Sequence, residues 1–84
     1  RKRIKIRENF EEIKLDVMYQ LIKQKFSLKR LREALLATED YYLIEGNYWN
    51  DKYWGCIQEN NMWVGNNYLG KILMKVRDEL KNDN

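Results

Sequence analysis

Residues 45–55 read Glu-Gly-Asn-Tyr-Trp-Asn-Asp-Lys-Tyr-Trp-Gly, and this stretch separates helical patterns on its two sides. Gly46 and Asn47 interrupt regular structure, and Asn50 and Asp51 are residue types that favour turns. Four aromatic side chains and two carboxylates lie among these turn formers. Residues 47–52 are therefore predicted to form an aromatic loop within a small, mixed fold.

Three amphipathic helices are predicted around this loop. The first spans about residues 9–25, with Asn9 as its cap and an apolar stripe formed by Phe10, Ile13, Val17 and Leu21. The second spans about 28–38, with Ser27 as its cap. The third runs from residue 66 or 67 to about 81, and its apolar stripe consists of Leu69, Ile72, Leu73, Val76 and Leu80.

The remaining stretches predict short extended segments. Alternation over residues 3–7 and strand-forming residues over 41–45 and 52–57 favour strands, with loops at 47–52 and 58–65. The predicted fold class is α+β and mainly helical, with three helices and a short two-stranded insert. A two-stranded sheet needs a covering surface, so we expect residues 1–84 to be a single domain or part of one.

Composition and charge exclude several classes of function. The 84 residues carry 16 basic and 13 acidic side chains, and five of the basic ones fall within residues 1–7. This basic arm either contacts phosphate or is simply solvated. Because the chain has no histidine, histidine-based catalysis and most zinc sites are excluded, and we expect no metal and no cofactor.

The single cysteine, Cys56, rules out an internal disulfide and favours a reducing, cytoplasmic setting. No apolar run approaches the roughly 20 residues that span a bilayer, so we expect no membrane association. The first residue is Arg1 rather than methionine, and we therefore expect a further segment upstream.

Carboxylates beside flat aromatic rings are the groups that a glycosidic or nucleobase site requires. Glu45 and Asp51 are candidates to protonate a leaving base, activate water or stabilise positive charge at a sugar carbon. Trp49 and Trp54 are candidates to stack on a base. The alternative from the residues alone is a core of aromatic side chains with solvated acidic turns.

A compound pattern resembles the second half of the NADAR (YbiA-like) domain. Its pieces are Leu36-x-Thr38, Leu43-x-Glu45, Asp51-x-x-Trp54-Gly55, Gly65-x-Asn67-x-Leu69-Gly70 and Arg77. Upstream, Arg3-x-x-x-Arg7 with Phe10, and Met18 with Lys25-Phe26, are also similar to the family. The likeness extends over about residues 3–80.

The resemblance implies a compact α+β fold and an N-glycosidase. Members resemble hydrolases of phosphoribosylated intermediates of riboflavin synthesis, or enzymes that remove ADP-ribose from guanine in DNA. By position, Asp51 and Glu45 are the implied catalytic residues. The implied substrate-binding residues are Trp54, Trp49, Gly65 and Asn67.

The roles of the Gly65–Asn67 segment and of Arg77 each have two possible interpretations. Gly65 and Asn67 either open the third helix toward a phosphate or merely form its turn and cap. Arg77 makes either a structural ion pair or a phosphate contact.

The family's first half, with a glutamate–histidine element and a catalytic lysine, has no counterpart in this sequence. Lys25 and Lys71 do not lie in that motif. The expected ligand is a nucleotide-like small molecule or ADP-ribosylated nucleic acid, with a partner chain supplying the missing half. The alternative is a non-catalytic fragment or nucleic-acid-binding module that acts with a partner chain.

Overall fold

A computed structural model describes the backbone of residues 6–82 and the side chains of residues 10–82. In chain order, the elements are α1 (Ile6–Lys25), α2 (Lys29–Leu36), β1 (Ile57–Glu59), β2 (Met62–Val64) and α3 (Tyr68–Asn82). The strands pair in one antiparallel sheet. The predicted α+β class, mainly helical with three helices and a two-stranded insert, is confirmed for this part of the chain.

The third helix, α3, is the centre of the packing. Both α1 and α2 contact it. Val76 on α3 is only 1% exposed and Leu35 on α2 is 5% exposed. The predicted α3 stripe is confirmed, because its other members, Leu69, Ile72, Leu73 and Leu80, are half-buried.

Helix α1 begins earlier than the sequence pattern indicated. It starts at Ile6, so Asn9 lies inside the helix and the prediction that it caps the helix is wrong. The predicted extended segment is wrong at Ile6 and Arg7, which are helical, and residues 3–5 lie outside the described residues.

Apolar side chains occupy two sides of α1. On one side Leu15, Met18 and Ile22 are half-buried. On this side Tyr19 also donates a hydrogen bond of 2.6 Å to the Glu79 carboxylate of α3. The predicted stripe lies on the other side and is 50–61% exposed, at Phe10, Ile13, Val17 and Leu21.

Helix α2 is shorter than predicted and is capped differently. Leu28 occupies the cap position without a side-chain hydrogen bond, and the helix ends at Leu36 rather than residue 38. Ser27 instead donates a 2.6 Å hydrogen bond to the Gln24 carbonyl in the preceding turn, so its predicted capping role is wrong.

The two strands lie in different residues from those predicted. Residues 41–45 form no strand, β1 begins only at Ile57, and both strands fall largely within the predicted loop 58–65. Asn60 and Asn61 have φ values of 52° and 66°, which suit a two-residue hairpin turn of the kind that matches strand twist. Gln58 pairs with Trp63 across this hairpin.

Residues 43–46 are held by other partners than a strand. The side chain of Asn67 accepts a hydrogen bond from the Glu45 N–H and donates one to the Leu43 carbonyl. In a sheet, the backbone of a neighbouring strand would make these two bonds. A single parallel bridge joins Gly46 to Cys56. Cys56 is 5% exposed, and its N–H donates to the Glu45 carbonyl at 2.8 Å.

Candidate functional site

The Asn47 side chain organises the loop that carries the acidic residues. Its Nδ2 donates to the carbonyls of Asp51 and Cys56 at 2.9 and 3.2 Å. Its Oδ1 accepts from the Asp51 N–H at 2.9 Å. Because all three bonds span four to nine residues, this amide closes the loop on itself and fixes the backbone of Asp51.

The Asp51 carboxylate is anchored by one of its two oxygens. Its Oδ1 accepts hydrogen bonds from the N–H groups of Tyr53 and Trp54, both at 3.0 Å. Within residues 10–82 no donor pairs with Oδ2. The protein therefore orients this carboxylate through one oxygen only.

The carbonyls of residues 52–55 dock this loop on the start of α3. The N–H of residue 66 donates to the carbonyl of residue 52 at 2.7 Å, and the N–H of residue 67 donates to that of residue 55 at 3.2 Å. The N–H of residue 68 donates to the carbonyl of residue 53 at 3.2 Å, and the N–H of residue 69 donates to that of residue 54 at 2.8 Å. These four N–H groups are satisfied by protein carbonyls, so they are not free to meet a phosphate. The geometry thus places the loop, rather than an anion, at this helix start.

Gly65 is required by the close approach of the loop. Its φ is 147°, a region that side chains rarely adopt. A Cβ at this position would also collide with the Gly55 carbonyl oxygen. Gly65 thus allows the hairpin to pass against the loop before α3 begins, and direct contact with substrate stays a prediction.

Asn67 connects the helix start to Glu45. It is 3% exposed, and its φ of 56° lies in the left-handed region that asparagine tolerates. Its Oδ1 accepts from the Glu45 N–H at 2.9 Å and its Nδ2 donates to the Leu43 carbonyl at 2.8 Å. Both ends of the amide are used within the protein, so Asn67 positions Glu45, and its predicted contact with substrate stays a prediction.

These connections bring four of the predicted site residues to one small cavity, the carboxylate hollow. Its volume is about 70 Å³, and it is lined by Glu45, Gly46, Asn47, Trp49, Asp51, Trp54, Gly55 and Leu69. Both acidic residues and both tryptophans of the sequence prediction therefore line one cavity, whereas Gly65 and Asn67 do not.

A larger cavity, the hairpin groove, adjoins the hollow. It measures about 480 Å³ and is lined by Gly46, Asn47, Tyr48, Asn50, Ile57, Gln58 and Trp63. Gly46 and Asn47 line both cavities. The sequence prediction missed Gln58 and Trp63, although the Asn60-Asn61 pair was an available signal for a turn, since asparagine tolerates positive φ.

Arg77 has a structural position rather than a place in either cavity. It is 4% exposed, and its guanidinium donates to the Thr38 hydroxyl at 2.9 Å and the Tyr41 carbonyl at 2.8 Å. Among the described residues it forms no ion pair. It therefore ties α3 to the segment that follows α2 through neutral acceptors, and the ion-pair alternative is wrong for this part of the chain.

Tyr53 joins α1 to the loop. The Lys14 Nζ of α1 lies 4.1 Å from the centroid of its ring, and the ring packs at 4.8 Å against that of Tyr68. The Tyr53 hydroxyl is buried with no hydrogen-bond partner among the described residues. Burial raises the pKa of Tyr53 to about 12, and the Glu11 carboxylate adds to the shift.

Two further properties concern the described residues as a whole. They contain no cluster of three or more histidine, cysteine, aspartate or glutamate side chains suited to a metal ion. None of their helices has the length and apolar character needed to cross a bilayer.

The NADAR domain family matches residues 1–81, and the chain belongs to this family. It is similar to the N-glycosidase Npun_R5314 of Nostoc punctiforme, with 37% identity over 78 residues that cover 92% of this chain and 47% of the relative. It is also similar to the N-glycosidase YbiA of Escherichia coli, with 38% identity over 76 residues, 89% of this chain and 45% of the relative.

A third relative is the chloroplastic riboflavin biosynthesis protein PYRR of Arabidopsis thaliana. It is 39% identical over 75 residues, which cover 88% of this chain and 12% of that protein. The chain thus spans about half the length of the two N-glycosidases and a smaller share of PYRR. No solved structure matches the chain at a significant level.

Proposed function

We propose that this chain forms part of an N-glycosidase site, which hydrolyses the N-glycosidic bond of a phosphoribosylated or ADP-ribosylated nucleobase-like substrate. The observation that carries the proposal is the carboxylate hollow, which Glu45 and Asp51 line together with Trp49 and Trp54. The names of two relatives, both N-glycosidases, support the class of bond. The ligand is a nucleotide-like small molecule or ADP-ribosylated nucleic acid, in a cytoplasmic setting that the single cysteine favours.

The reaction assigns separate tasks to the two carboxylates. Water adds to the sugar carbon, the carbon–nitrogen bond breaks, and the base leaves with a proton. Asp51, whose Oδ2 is unpaired among the described residues, activates water or stabilises positive charge at the sugar carbon. Glu45, held through its backbone by Asn67, supplies the second carboxyl group for proton transfer.

The test is the exchange of Asp51 for asparagine in an active protein. A chimera of the E. coli N-glycosidase YbiA would carry this chain in place of the matching segment, and chromatography would measure base released from each substrate class. Asp51→Asn keeps the Oδ1 acceptor for Tyr53 and Trp54 but removes the charge. We expect hydrolysis to fall by about 10²-fold or more.

The matched control is Glu59→Gln, the same chemical change on the exposed strand β1. Glu59 pairs with Lys52 and lines neither cavity. Its exchange should leave turnover unchanged. Full activity of Asp51→Asn, or release from neither substrate class by the unsubstituted chimera, would contradict the proposal.

The exposed stripe of α1 favours an accompanying proposal, that this chain functions with a second polypeptide segment. A helix that is apolar on two sides normally packs between two layers, and here α3 covers one side only. Leu28, 61% exposed, adds to the apolar surface beyond the stripe of Phe10, Ile13, Val17 and Leu21.

The proposed occupant is a segment equivalent to the part of the N-glycosidase relatives that this chain does not span. Those relatives are about twice as long as the matched region, since it covers 47% and 45% of them. Full burial of one large apolar side chain stabilises a complex by about 1.5–3 kcal/mol. Covering four half-exposed ones would therefore add several kcal/mol.

Mixing the chain with the unmatched part of E. coli YbiA, produced as a separate polypeptide, tests this partner. Light scattering after gel filtration should show a one-to-one complex, which Ile13→Gln with Val17→Gln should abolish. Glu12→Gln, an exposed position of α1 outside the stripe, should not affect the complex. A homodimer formed through α1, or a complex that survives the double substitution, would contradict the proposed occupant.

A further inference from the structure

We propose that the hairpin groove binds the planar heterocyclic base of the substrate, with Trp63 as its stacking platform. This inference rests on the proposed N-glycosidase function and names the part of the site that holds the leaving group. The groove volume of about 480 Å³ lies in the usual range for small-molecule sites, roughly 300–1,000 Å³.

Trp63 presents a flat apolar surface at a fixed position. It lies on β2 opposite Gln58, so the two side chains share one face of the hairpin. The far edge of its indole rests on Gly46, where an added Cβ would lie 2.7 and 2.9 Å from its Cη2 and Cζ3 atoms. The side chain is 48% exposed. The indole is thus held at one edge, and about half of the residue remains exposed to a second ring.

The polar groups of the groove are amides rather than charges. None of its seven lining residues is acidic or basic. The side-chain amides of Asn50 and Gln58 make no hydrogen bonds within residues 10–82, whereas that of Asn47 is fully used by the loop. An amide offers one acceptor and two donors, which match the carbonyl and N–H groups at the edge of a pyrimidine or purine. Neutral amides suit a base better than a phosphate.

The position of the groove relative to the carboxylates fits the reaction. Gly46 and Asn47 separate the groove from the carboxylate hollow and line both. A base stacked on Trp63 would direct its glycosidic bond across this boundary, toward Glu45 and Asp51. The leaving group and the proton-transfer groups would then occupy adjoining spaces.

Titration of the 84-residue chain with guanosine, uridine and ribose 5-phosphate tests the groove. Two-dimensional ¹H–¹⁵N spectra resolve the indole N–H groups of the three tryptophans and the side-chain amides. We expect the nucleosides to shift the Trp63 indole and the Gln58 amide, with little effect of ribose 5-phosphate at these signals. Shifts confined to Trp49 and Trp54, or no nucleoside binding at millimolar concentration, would overturn the inference.

Substitutions provide the second arm. Trp63→Ala should weaken nucleoside binding about tenfold, as expected from the loss of one base–aromatic stack, and Trp63→Phe should retain most of the affinity. Met62→Ala is the matched control, because Met62 is an exposed neighbour on β2 that lines neither cavity. Backbone signals at wild-type positions establish that each variant is folded. Equal affinity of Trp63→Ala and Met62→Ala would overturn the inference.

The two proposals fail in different ways. Trp63-dependent nucleoside binding together with full turnover of the Asp51→Asn chimera would leave the groove as a base-binding site and remove the hydrolase proposal. Turnover that depends on Asp51 but is indifferent to Trp63→Ala, in both KM and kcat, would remove the groove and leave the hydrolase.

Discussion

The loop–α3 junction, residues 43–70, and helix α1 are stabilised in opposite ways. In the junction, polar groups satisfy one another: four N–H groups at the start of α3 meet loop carbonyls, and the buried Asn67 amide uses both ends. Helix α1 relies on apolar surface, and among the described residues Tyr19 makes its one side-chain hydrogen bond to α3. The comparison indicates that backbone and amide hydrogen bonds hold the junction together, whereas α1 leaves apolar surface exposed.

The largest effect is expected from Asn67→Ala. The Glu45 N–H and the Leu43 carbonyl would lose their partner, and alanine tolerates the φ of 56° poorly. Unsatisfied buried groups cost about 1–3 kcal/mol each, so we expect the free energy of unfolding in urea to fall by about 2–4 kcal/mol. The exposed neighbour variant Asn66→Ala serves as control. A loss below about 0.5 kcal/mol would mean that the amide is not what holds the junction.

Asp51 should show a smaller effect that depends on the replacement. Alanine removes the acceptor of the Tyr53 and Trp54 N–H groups, whereas asparagine retains it. Loss of a side-chain acceptor of this kind costs about 1 kcal/mol. We therefore expect urea unfolding to separate Asp51→Ala from Asp51→Asn by about that amount, with the asparagine variant the more stable. Equal stabilities would show that the loop does not need this acceptor.

The stripe of α1 should tolerate polar residues when the chain is alone. Ile13 and Val17 are 51% and 50% exposed, so Ile13→Gln and Val17→Gln remove little buried surface. Surface substitutions usually change stability by less than about 0.5 kcal/mol each. The same urea measurement checks this, and a loss above about 1 kcal/mol for either variant would place the stripe in the core and end the contrast with the junction.

Tyr53, which joins α1 to the loop, should affect the pH dependence of stability only under alkaline conditions. Because burial raises the pKa of Tyr53 from 10.0 to about 12, the folded state holds this proton more tightly than the unfolded state does. The resulting stabilisation is complete below pH 10 and is lost as the pH rises toward 12.

Thermal unfolding between pH 8 and pH 12 checks this. Tyr53→Phe should reduce the alkaline fall in Tm without lowering Tm at neutral pH, since it also removes a buried hydroxyl that has no partner among the described residues. Tyr41→Phe, at a position 74% exposed, is the matched control. An alkaline profile identical to that of the unsubstituted chain would contradict the assigned burial.

The sequence predicted α3 well because one stripe repeats over about three turns, and α3 packs against both other helices. It predicted α1 as a helix but chose the wrong side for its packing. Both sides of α1 are apolar, and only one of them packs against α3. The predicted strand at 41–45 failed for a specific reason. Its backbone partners come from the side chain of Asn67, more than 20 residues away, and no local pattern reveals such a bond.

The candidate site could be predicted in part. Glu45, Trp49, Asp51 and Trp54 could be grouped because they are close in sequence, and all four line the carboxylate hollow. The hairpin groove was missed because the polar run Gln58 to Asn61 looked like a loop, although it contains the turn between β1 and β2. Gly46 lines this groove beside the indole of Trp63, which is 17 positions later in the chain. Sequence spacing alone does not indicate this contact.

The bridge between Gly46 and Cys56 has a practical consequence. The thiol is 5% exposed and sits where the loop, the hairpin and residue 45 meet. A thiol-specific reagent can reach the Cys56 sulfur only when the loop and the hairpin move apart. The rate of chemical labelling at this one sulfur atom therefore reports how often the loop and the hairpin separate, and a ligand that stabilises their contact should slow the labelling.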